Sequence, residues 1–249
     1  MGVPVIGCPC SVCNSTSLPN KRKRSSALIT LGNKVFLIDA GPDFREQALH
    51  YSIKHLDGVL LTHHHYDHVG GLDDLRIFYI LQHHPLPCLL SNETMDELKL
   101  RYHYMLKPKQ EGKSLTAQLK FTLLPNAFGD LIFEGVKIHY MSFSQAGTKV
   151  TGYRIGSLAY ISDIREYTEE LFVALKGVKT LILSALAQIP TKMHFSVEEA
   201  LAFSQLVGAE KTYLTHIAHD LDHEAVNARL PSQVRLSYDG LDIPFEAIL

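Results

Sequence analysis

Hydrophobic and polar positions near the start of the chain predict a β-hairpin followed by alternating helices and strands. Residues 26–31 and 34–39 are rich in apolar side chains and are separated by Gly32-Asn33, a hairpin turn signal. The apolar run Val59-Leu60-Leu61 predicts a buried strand over residues 58–62, because strands covered on both faces carry continuous apolar residues. Helical character is predicted for three further stretches: residues 43–51, 72–82 and the more polar 92–120.

The second half of the chain repeats this pattern from Phe121 onward. Predicted strands cover residues 131–133, 136–140, 151–155, 157–161, 180–184 and 211–215. Predicted helices cover residues 169–175 and 196–206, and the second has the capping-box spacing of Ser196 and Glu199. Because no linker separates the halves, we predict one domain over residues 1–249, an α/β protein with two sheets between helices.

The composition restricts the classes of function. The chain has 249 residues, 46% of them hydrophobic and 20% charged, as in an ordinary globular protein. A formal net charge of −2 gives no overall attraction to nucleic acid or to an anionic membrane. No apolar run approaches the ~18–20 residues of a membrane span, and residues 1–7 do not resemble a secretory signal. We therefore expect a cytoplasmic protein with no membrane partner.

The segment after the predicted strand at residues 58–62 concentrates side chains that bind metals. His63, His64, His65, Asp67 and His68 place four histidines and a carboxylate within six residues. Imidazole and carboxylate groups suit zinc, manganese or iron, and a short turn at a strand end can direct several of them to one point. A histidine tag would lie at a terminus and would lack the aspartate, so the segment predicts a metal site.

Three further polar residues, Asp39, Asp163 and His216, end predicted strands. Together with the His-X-His-X-Asp-His segment at residues 63–68, their order resembles the metallo-β-lactamase fold superfamily over nearly the whole chain. The resemblance implies a four-layer αββα sandwich that holds one or two ions, zinc or manganese, at the edge of the sheets.

Finer motifs resemble one branch of that superfamily, the phosphoribosyl 1,2-cyclic phosphate phosphodiesterases of phosphonate breakdown. These motifs are an N-terminal cysteine cluster and the stretches at residues 39–45, 71–76, 151–154 and 237–241. The resemblance implies a metal-dependent hydrolase that cleaves a small cyclic phosphodiester with a metal-held hydroxide.

The resemblance also implies which residues bind the ions. His63 and His65 would bind the first ion, the second would be bound by Asp67, His68 and His216, and Asp163 would bridge the two. Asp67 is expected to take part in catalysis as well. Asp39 would orient a ligand without binding an ion itself.

The first metal site departs from the family pattern at one position. Where the family has a further histidine before the Thr-Gly-Tyr-Arg stretch, this chain has Gln145, with His139 as a weak substitute six residues earlier. An amide oxygen is a poorer zinc ligand than imidazole, although harder cations such as manganese accept it better. Three outcomes stay open: a weakened first site, a mononuclear enzyme that uses the second site, or a protein that has lost catalysis.

A second metal site is predicted at the N-terminus. Cys8, Cys10 and Cys13 lie within six residues, which indicates metal binding in a reducing compartment rather than a disulfide framework. A structural zinc needs a fourth donor, and the resemblance supplies His219. Reduced cysteines that bind nothing are the alternative. Cys88 is predicted to be a small core residue.

Two features beyond the metal ligands are candidates for contact with a substrate. His194 lies just before the predicted helix at residues 196–206, and the resemblance implies a general acid or a donor to a phosphate oxygen. The alternative is a solvated loop histidine. The basic run at residues 21–24 is predicted to be mainly a structural entry to the first strand, with substrate contact as the alternative.

Other functions are compatible with the same residues. Ribonuclease Z-like enzymes and lactone or ester hydrolases use similar metal chemistry, and a metal-binding carrier of this fold is the non-enzymatic alternative that Gln145 favours. The expected partner is a small-molecule phosphodiester. Nucleic acid is not expected because basic residues are sparse, and a homodimer stays open.

Overall fold

A computed structural model describes residues 2–106 and 116–247. The chain divides into two compact units. The five-stranded unit comprises Ser25–Asn126 with Phe133–Gly135, and the seven-stranded unit comprises Met1–Arg24, Ala127–Ile132 and Val136–Leu249. One domain over residues 1–249 stays a prediction.

The five-stranded unit is built on a mixed sheet whose strands follow chain order. Its strands are Ala27–Leu31 (β1), Lys34–Ile38 (β2), Gly58–Leu60 (β3), Leu86–Leu90 (β4) and Leu119–Leu123 (β5). β1 and β2 form the antiparallel hairpin that Gly32-Asn33 predicts, with Leu31 opposite Lys34. The remaining neighbours are parallel. All residues of β3 and β4 are buried, in agreement with their continuous apolar sequence.

Short helices connect these strands. They are Phe44–His50 (α1), Tyr66–Val69 (α2), Arg76–Gln82 (α3), Asn92–Arg101 (α4) and His103–Leu106 (α5). The helix predicted over residues 72–82 begins as a 3-10 turn at Leu72–Leu75. Ser91 caps α4 by accepting a hydrogen bond from the Thr94 amide. The helical prediction for residues 92–120 fails at its end, where β5 begins, and residues 107–115 lie outside the described residues.

The core of this unit fixes the loops at one edge of the sheet. Phe44 of α1 packs on Phe78 of α3 with ring centroids 6.2 Å apart. The Gly71 amide donates to the Ala40 carbonyl at 2.8 Å, and a Cβ atom at residue 71 would clash with the Gly41 carbonyl oxygen. Glycine at residue 71 therefore allows the loop after β2 to lie against the segment that follows the histidine turn.

The seven-stranded unit contains the second sheet, ordered β12-β11-β10-β9-β8-β7-β6. Its strands are Phe128–Phe133 (β6), Val136–Gln145 (β7), Thr148–Ile155 (β8), Leu158–Ile161 (β9), Thr180–Ser184 (β10), Lys211–Thr215 (β11) and Val234–Leu236 (β12). β9 to β12 are parallel, whereas β7, β8 and β9 form antiparallel pairs. Both parallel strands predicted at residues 180–184 and 211–215 have the predicted bounds.

Three helices pack with this sheet: Glu170–Leu175 (α6), Val197–Val207 (α7) and His223–Asn227 (α8). A 3-10 turn spans Leu18–Asn20. The predicted capping box begins α7, because the Ser196 hydroxyl accepts from the Glu199 amide and the Glu199 carboxylate accepts from the Ser196 amide. Gly208, in a left-handed conformation, ends the helix.

Strand direction brings three chemically important residues to one edge of this sheet. Asp163 and His216 follow the parallel strands β9 and β11. β7 runs in the same direction as β9, because two antiparallel pairs separate them, so Gln145 ends at the same edge. None of the described helices has the length and apolar character needed to span a bilayer.

Candidate metal sites

The predicted histidine turn begins directly after β3 in the five-stranded unit. His63 Nε2 lies 3.0 Å from His65 Nδ1, and the rings of His63 and His68 have centroids 4.2 Å apart. Asp67 Oδ2 is 4.0 Å from His68 Nε2. Four predicted ligands therefore lie next to one another on one short turn. His64 lies beside them, with its pKa lowered by burial and by Arg101.

A buried carboxylate orients this turn. Asp39 accepts hydrogen bonds from the Thr62 amide (2.8 Å) and hydroxyl (2.7 Å) and lies 2.7 Å from Nδ1 of His68. Because a carboxylate oxygen accepts hydrogen bonds, Nδ1 of His68 carries the proton. Nε2 of His68 then has the lone pair that can bind an ion. The Thr62 hydroxyl gives its proton to Asp39, so it accepts from Nδ1 of His63 at 2.9 Å. Nε2 is then the ligand atom of His63 too.

A second donor cluster lies in the seven-stranded unit and consists of Asp163, His194 and His216. One ligand atom from each lies within 4.8 Å of the others. Asp163 Oδ1 is 3.3 Å from His194 Nδ1 and 3.4 Å from His216 Nε2. The other carboxylate oxygen of Asp163 accepts a short hydrogen bond from the Ser162 hydroxyl. Sharing of ions between this cluster and the histidine turn stays a prediction.

Three of the strand-end residues have left-handed backbone conformations that the sequence did not lead us to expect. The φ angles are 59° at Asp39, 57° at Asp163 and 57° at His216. Such angles are uncommon outside glycine, but aspartate and histidine adopt them more often than most residues. Backbone strain of this kind accumulates at functional sites, where the surrounding structure holds it in place.

Gln145 lies within the second cluster rather than beside it. It is buried on β7, in the same inward phase as Met141 and Phe143. Its Nε2 donates to Asp163 Oδ1 at 3.0 Å and lies 3.0 Å from His194 Nδ1. Its Oε1 is buried with no hydrogen-bond partner in the described part of the chain. His139 is about 20 Å away along the strand, at ~3.3 Å per residue, so it cannot replace the missing histidine.

The four residues of the predicted cysteine site lie close together within the seven-stranded unit. One ligand atom each from Cys8, Cys10, Cys13 and His219 lies within 4.8 Å of the others. His219 Nδ1 is 3.2 Å from Cys8 Sγ and 3.5 Å from Cys10 Sγ. The backbone N–H of Cys13 and the ring of His219 lower the pKa of Cys10 to about 6. Three sulfurs and one imidazole at this spacing fit a tetrahedral structural zinc.

Arg22 from the basic run is structural. Its guanidinium is buried and donates to the Leu221 carbonyl at 2.9 Å and the Ala218 carbonyl at 3.4 Å. Lys21 Nζ donates to the Cys13 carbonyl at 3.2 Å. The Arg22 contacts attach the N-terminal segment to the loop that carries His216 and His219. A buried arginine in a polar run gives no signal in the sequence.

Comparison with known proteins identifies the family. A family model for a beta-lactamase superfamily domain matches residues 34–217. A solved diphosphatase from the PhnP family is 35% identical, with a TM-score of 0.90, and the match covers 100% of this chain and 95% of that one. The chain belongs to the PhnP family of the metallo-β-lactamase superfamily. The predicted fold class and family are therefore confirmed.

Two further relatives extend the comparison of this PhnP-family protein. Zn²⁺-bound PqqB from Methylobacterium extorquens shares the fold at a TM-score of 0.73 and 19% identity, over 98% of this chain and 96% of that one. An octanoyltransferase from Porphyromonas gingivalis is 35% identical over 246 residues, which are 97% of this chain and 49% of that protein. The chain thus spans about half the length of this curated relative.

The superfamily consists mostly of metal-dependent hydrolases, and this PhnP-family protein has donor clusters that suit divalent ions. Zinc and manganese both fit imidazole and carboxylate donors. The roles of the individual residues stay predictions.

Replacing Asp39 by asparagine is expected to weaken metal binding at the histidine turn. An amide has one acceptor oxygen where Asp39 uses two, so the proton on His68 Nδ1 loses its carboxylate partner. Loss of such a partner typically costs ~10–100-fold in metal affinity. Competition with a chelator measures the affinity, and Asp43→Asn in the neighbouring loop is the control. Equal affinities in both variants would contradict the orienting role.

In protein stripped of metal, Cys10 is expected to react first with iodoacetamide at pH 7. The lowered pKa keeps the thiolate populated until the pH falls through about 6, whereas an ordinary thiol is already mostly protonated at pH 7. Burial raises the pKa of Cys88, which serves as the internal control and should stay unmodified. Mass spectrometry identifies the labelled residue. Zinc should protect Cys10, and labelling that zinc does not change would argue against the site.

Gln145→His is expected to increase the number of ions bound. We expect the unmodified protein to hold fewer than two ions per chain beyond the one at the cysteine site, because an amide is a weaker ligand than imidazole. Elemental analysis after dialysis gives the count, with Gln233→His at an exposed position as the matched control. Two tightly held ions in the unmodified active site would exclude a weakened first site.

Proposed function

We propose that this PhnP-family protein is a metal-dependent hydrolase that cleaves a small phosphodiester, with a cyclic phosphodiester as the preferred substrate. The observation that supports this most is the cluster of Asp163, His194 and His216 at the carboxyl edge of a parallel sheet. Ligand sites of α/β sheets lie at this edge. The proposal extends the superfamily's hydrolase chemistry to one class of substrate.

The residues of the chain would hold and orient the ions. His63, His65, Asp67 and His68 would be ligands on one turn, with Asp39 fixing the ring of His68. A bound divalent ion would polarise a phosphoryl oxygen and lower the pKa of a water molecule. The buried Asp163 carboxylate supplies negative charge, and Ser162 and Gln145 fix its two oxygens.

The choice of a small substrate rests on charge. The net charge is −2, and the most buried member of the basic run, Arg22, is engaged with backbone carbonyls. An RNA substrate would need cationic side chains along its phosphates, whereas a small phosphodiester needs only the ions themselves. We therefore favour hydrolysis of a small phosphodiester over ribonuclease activity as the function. Zinc and manganese are both candidate cofactors.

A diphosphate is the second candidate substrate. The solved PhnP-family relative that matches over the full chain is a diphosphatase. Hydrolysis of a diphosphate and of a phosphodiester both displace an oxygen from phosphorus, so the same donors would serve either reaction. The octanoyltransferase relative is about twice as long, and an octanoyl ester enters only as a comparison substrate.

Purified protein supplied with zinc or manganese is expected to hydrolyse a ribose 1,2-cyclic phosphate. Asp163→Ala should reduce turnover by at least ~100-fold, because it removes a buried ligand charge. Asp130→Ala, at a half-exposed carboxylate paired with Lys137, is the matched control and should keep wild-type turnover.

The substrate panel separates the alternatives. It contains the cyclic phosphate, a nucleoside diphosphate, an octanoyl ester, a lactone and a structured RNA, each with and without added manganese. Turnover of the diphosphate alone would favour the second candidate. Turnover of RNA, ester or lactone without any small phosphodiester would refute the proposal. Bound ions with no hydrolysis of any substrate would favour a metal-binding carrier.

A further inference from the structure

We propose that His194 is a metal ligand and that it holds a divalent ion together with Asp163 and His216. This inference deepens the proposed function, on which it rests for its biological meaning. Its test counts bound ions rather than reaction products, so the ligand role of His194 and the proposed hydrolase function can fail separately.

The distances between donor atoms match those around a bound ion. Zinc bonds to nitrogen and carboxylate oxygen are ~2.0–2.2 Å long, and tetrahedral geometry then separates neighbouring donors by about 3.3–3.6 Å. Asp163 Oδ1 lies 3.3 Å from His194 Nδ1 and 3.4 Å from His216 Nε2. All three donors belong to the seven-stranded unit.

The environment of His194 contradicts the solvated-loop alternative. Its side chain is 13% exposed, and its ring stacks on that of His216 with centroids 5.0 Å apart and an interplanar angle of 21°. Two imidazoles therefore flank one carboxylate oxygen. Two histidines and one carboxylate, with further positions left for water or substrate, form a recurring metal-binding arrangement.

The loop that carries His194 is fixed on both sides. The His194 amide donates to the Thr191 hydroxyl at 2.9 Å, and the same hydroxyl donates to the His194 carbonyl at 3.1 Å. The Leu186 amide donates to the Phe195 carbonyl at 2.9 Å, and Ser196 then caps α7. A ligand needs this backbone support, because a metal site depends on donors held in place before the ion arrives.

The side-chain amide of Gln145 lies next to the same point. Its Nε2 carries hydrogens and cannot bind a cation, yet it lies 3.0 Å from both Asp163 Oδ1 and His194 Nδ1. Rotation of the amide would exchange Nε2 with the buried Oε1, which has no hydrogen-bond partner among the described residues. The amide oxygen would then face the ion. An oxygen in place of imidazole shifts the site toward harder cations such as manganese.

This assignment differs from the general-acid role implied by the family resemblance, and the two roles predict opposite results. The test uses the full chain, equilibrated with zinc or manganese, and the variants His194→Ala and His194→Gln. If His194 is a ligand, both variants should lose one ion per chain, or bind it at least ~100-fold more weakly. His139→Ala, at a half-buried histidine on β7, is the matched control and should keep the wild-type count.

Cobalt substitution distinguishes the ions. Thiolate-to-cobalt charge-transfer bands report the cysteine site and should persist in every variant, whereas the visible d–d bands of the nitrogen and oxygen site should weaken only in the His194 variants. Circular dichroism checks folding. If neither variant folds, the test is NMR of the cobalt-substituted unmodified protein. Bound cobalt should move the imidazole signals of His194 far outside their ordinary range.

Some results would overturn the inference. Wild-type ion count and d–d spectrum in His194→Ala, with lower turnover alone, would make His194 a proton donor; unshifted His194 signals in the cobalt protein would do the same. If the His194 variants lose the ion but the unmodified protein hydrolyses no substrate, His194 is still a ligand and only the proposed function is refuted.

Discussion

Among the described residues, each sheet has one buried aspartate at its carboxyl edge, and the cost of burying that charge determines the structure around it. Asp39 is 0% exposed and Asp163 is 1% exposed. An ionised carboxylate in such surroundings is stable only where donors or cations replace its water. Thr62 and His68 do this for Asp39, and Ser162 and Gln145 do it for Asp163. The hydrogen bond to Asp39 orients His68, a predicted metal ligand. Gln145, which donates to Asp163, occupies a position next to His194.

The sequence predicted features that depend on neighbours along the chain. Gly32-Asn33 forms its hairpin, and Ser196 and Glu199 form their capping box. The approach of His219 to the three cysteines was implied only by the family resemblance. The sequence did not predict the left-handed backbone at Asp163 or the burial of Arg22, because tertiary contacts impose both. The helical prediction for residues 92–120 ended in error at β5, since pairing with β4 outweighed local propensity there.

Gln145 shows how one substitution changes the meaning of a motif. From the sequence it was a gap in a ligand set. In the structure its amide is in contact with both Asp163 and His194, so the gap is filled by a neutral group that can donate or accept. Similarity to the family over the full chain establishes the fold. The chemistry of the seven-stranded unit depends on residues specific to this chain.

The contact between Arg22 and Leu221 has a consequence for biosynthesis. Its two residues are 199 positions apart, so Arg22 cannot form this contact until Leu221 has left the ribosome. At ~5–20 residues per second this delay is roughly 10–40 s. During that interval Cys8, Cys10 and Cys13 lack His219, the fourth donor of their group. The order of synthesis therefore makes the cysteine group a late-forming part of the seven-stranded unit.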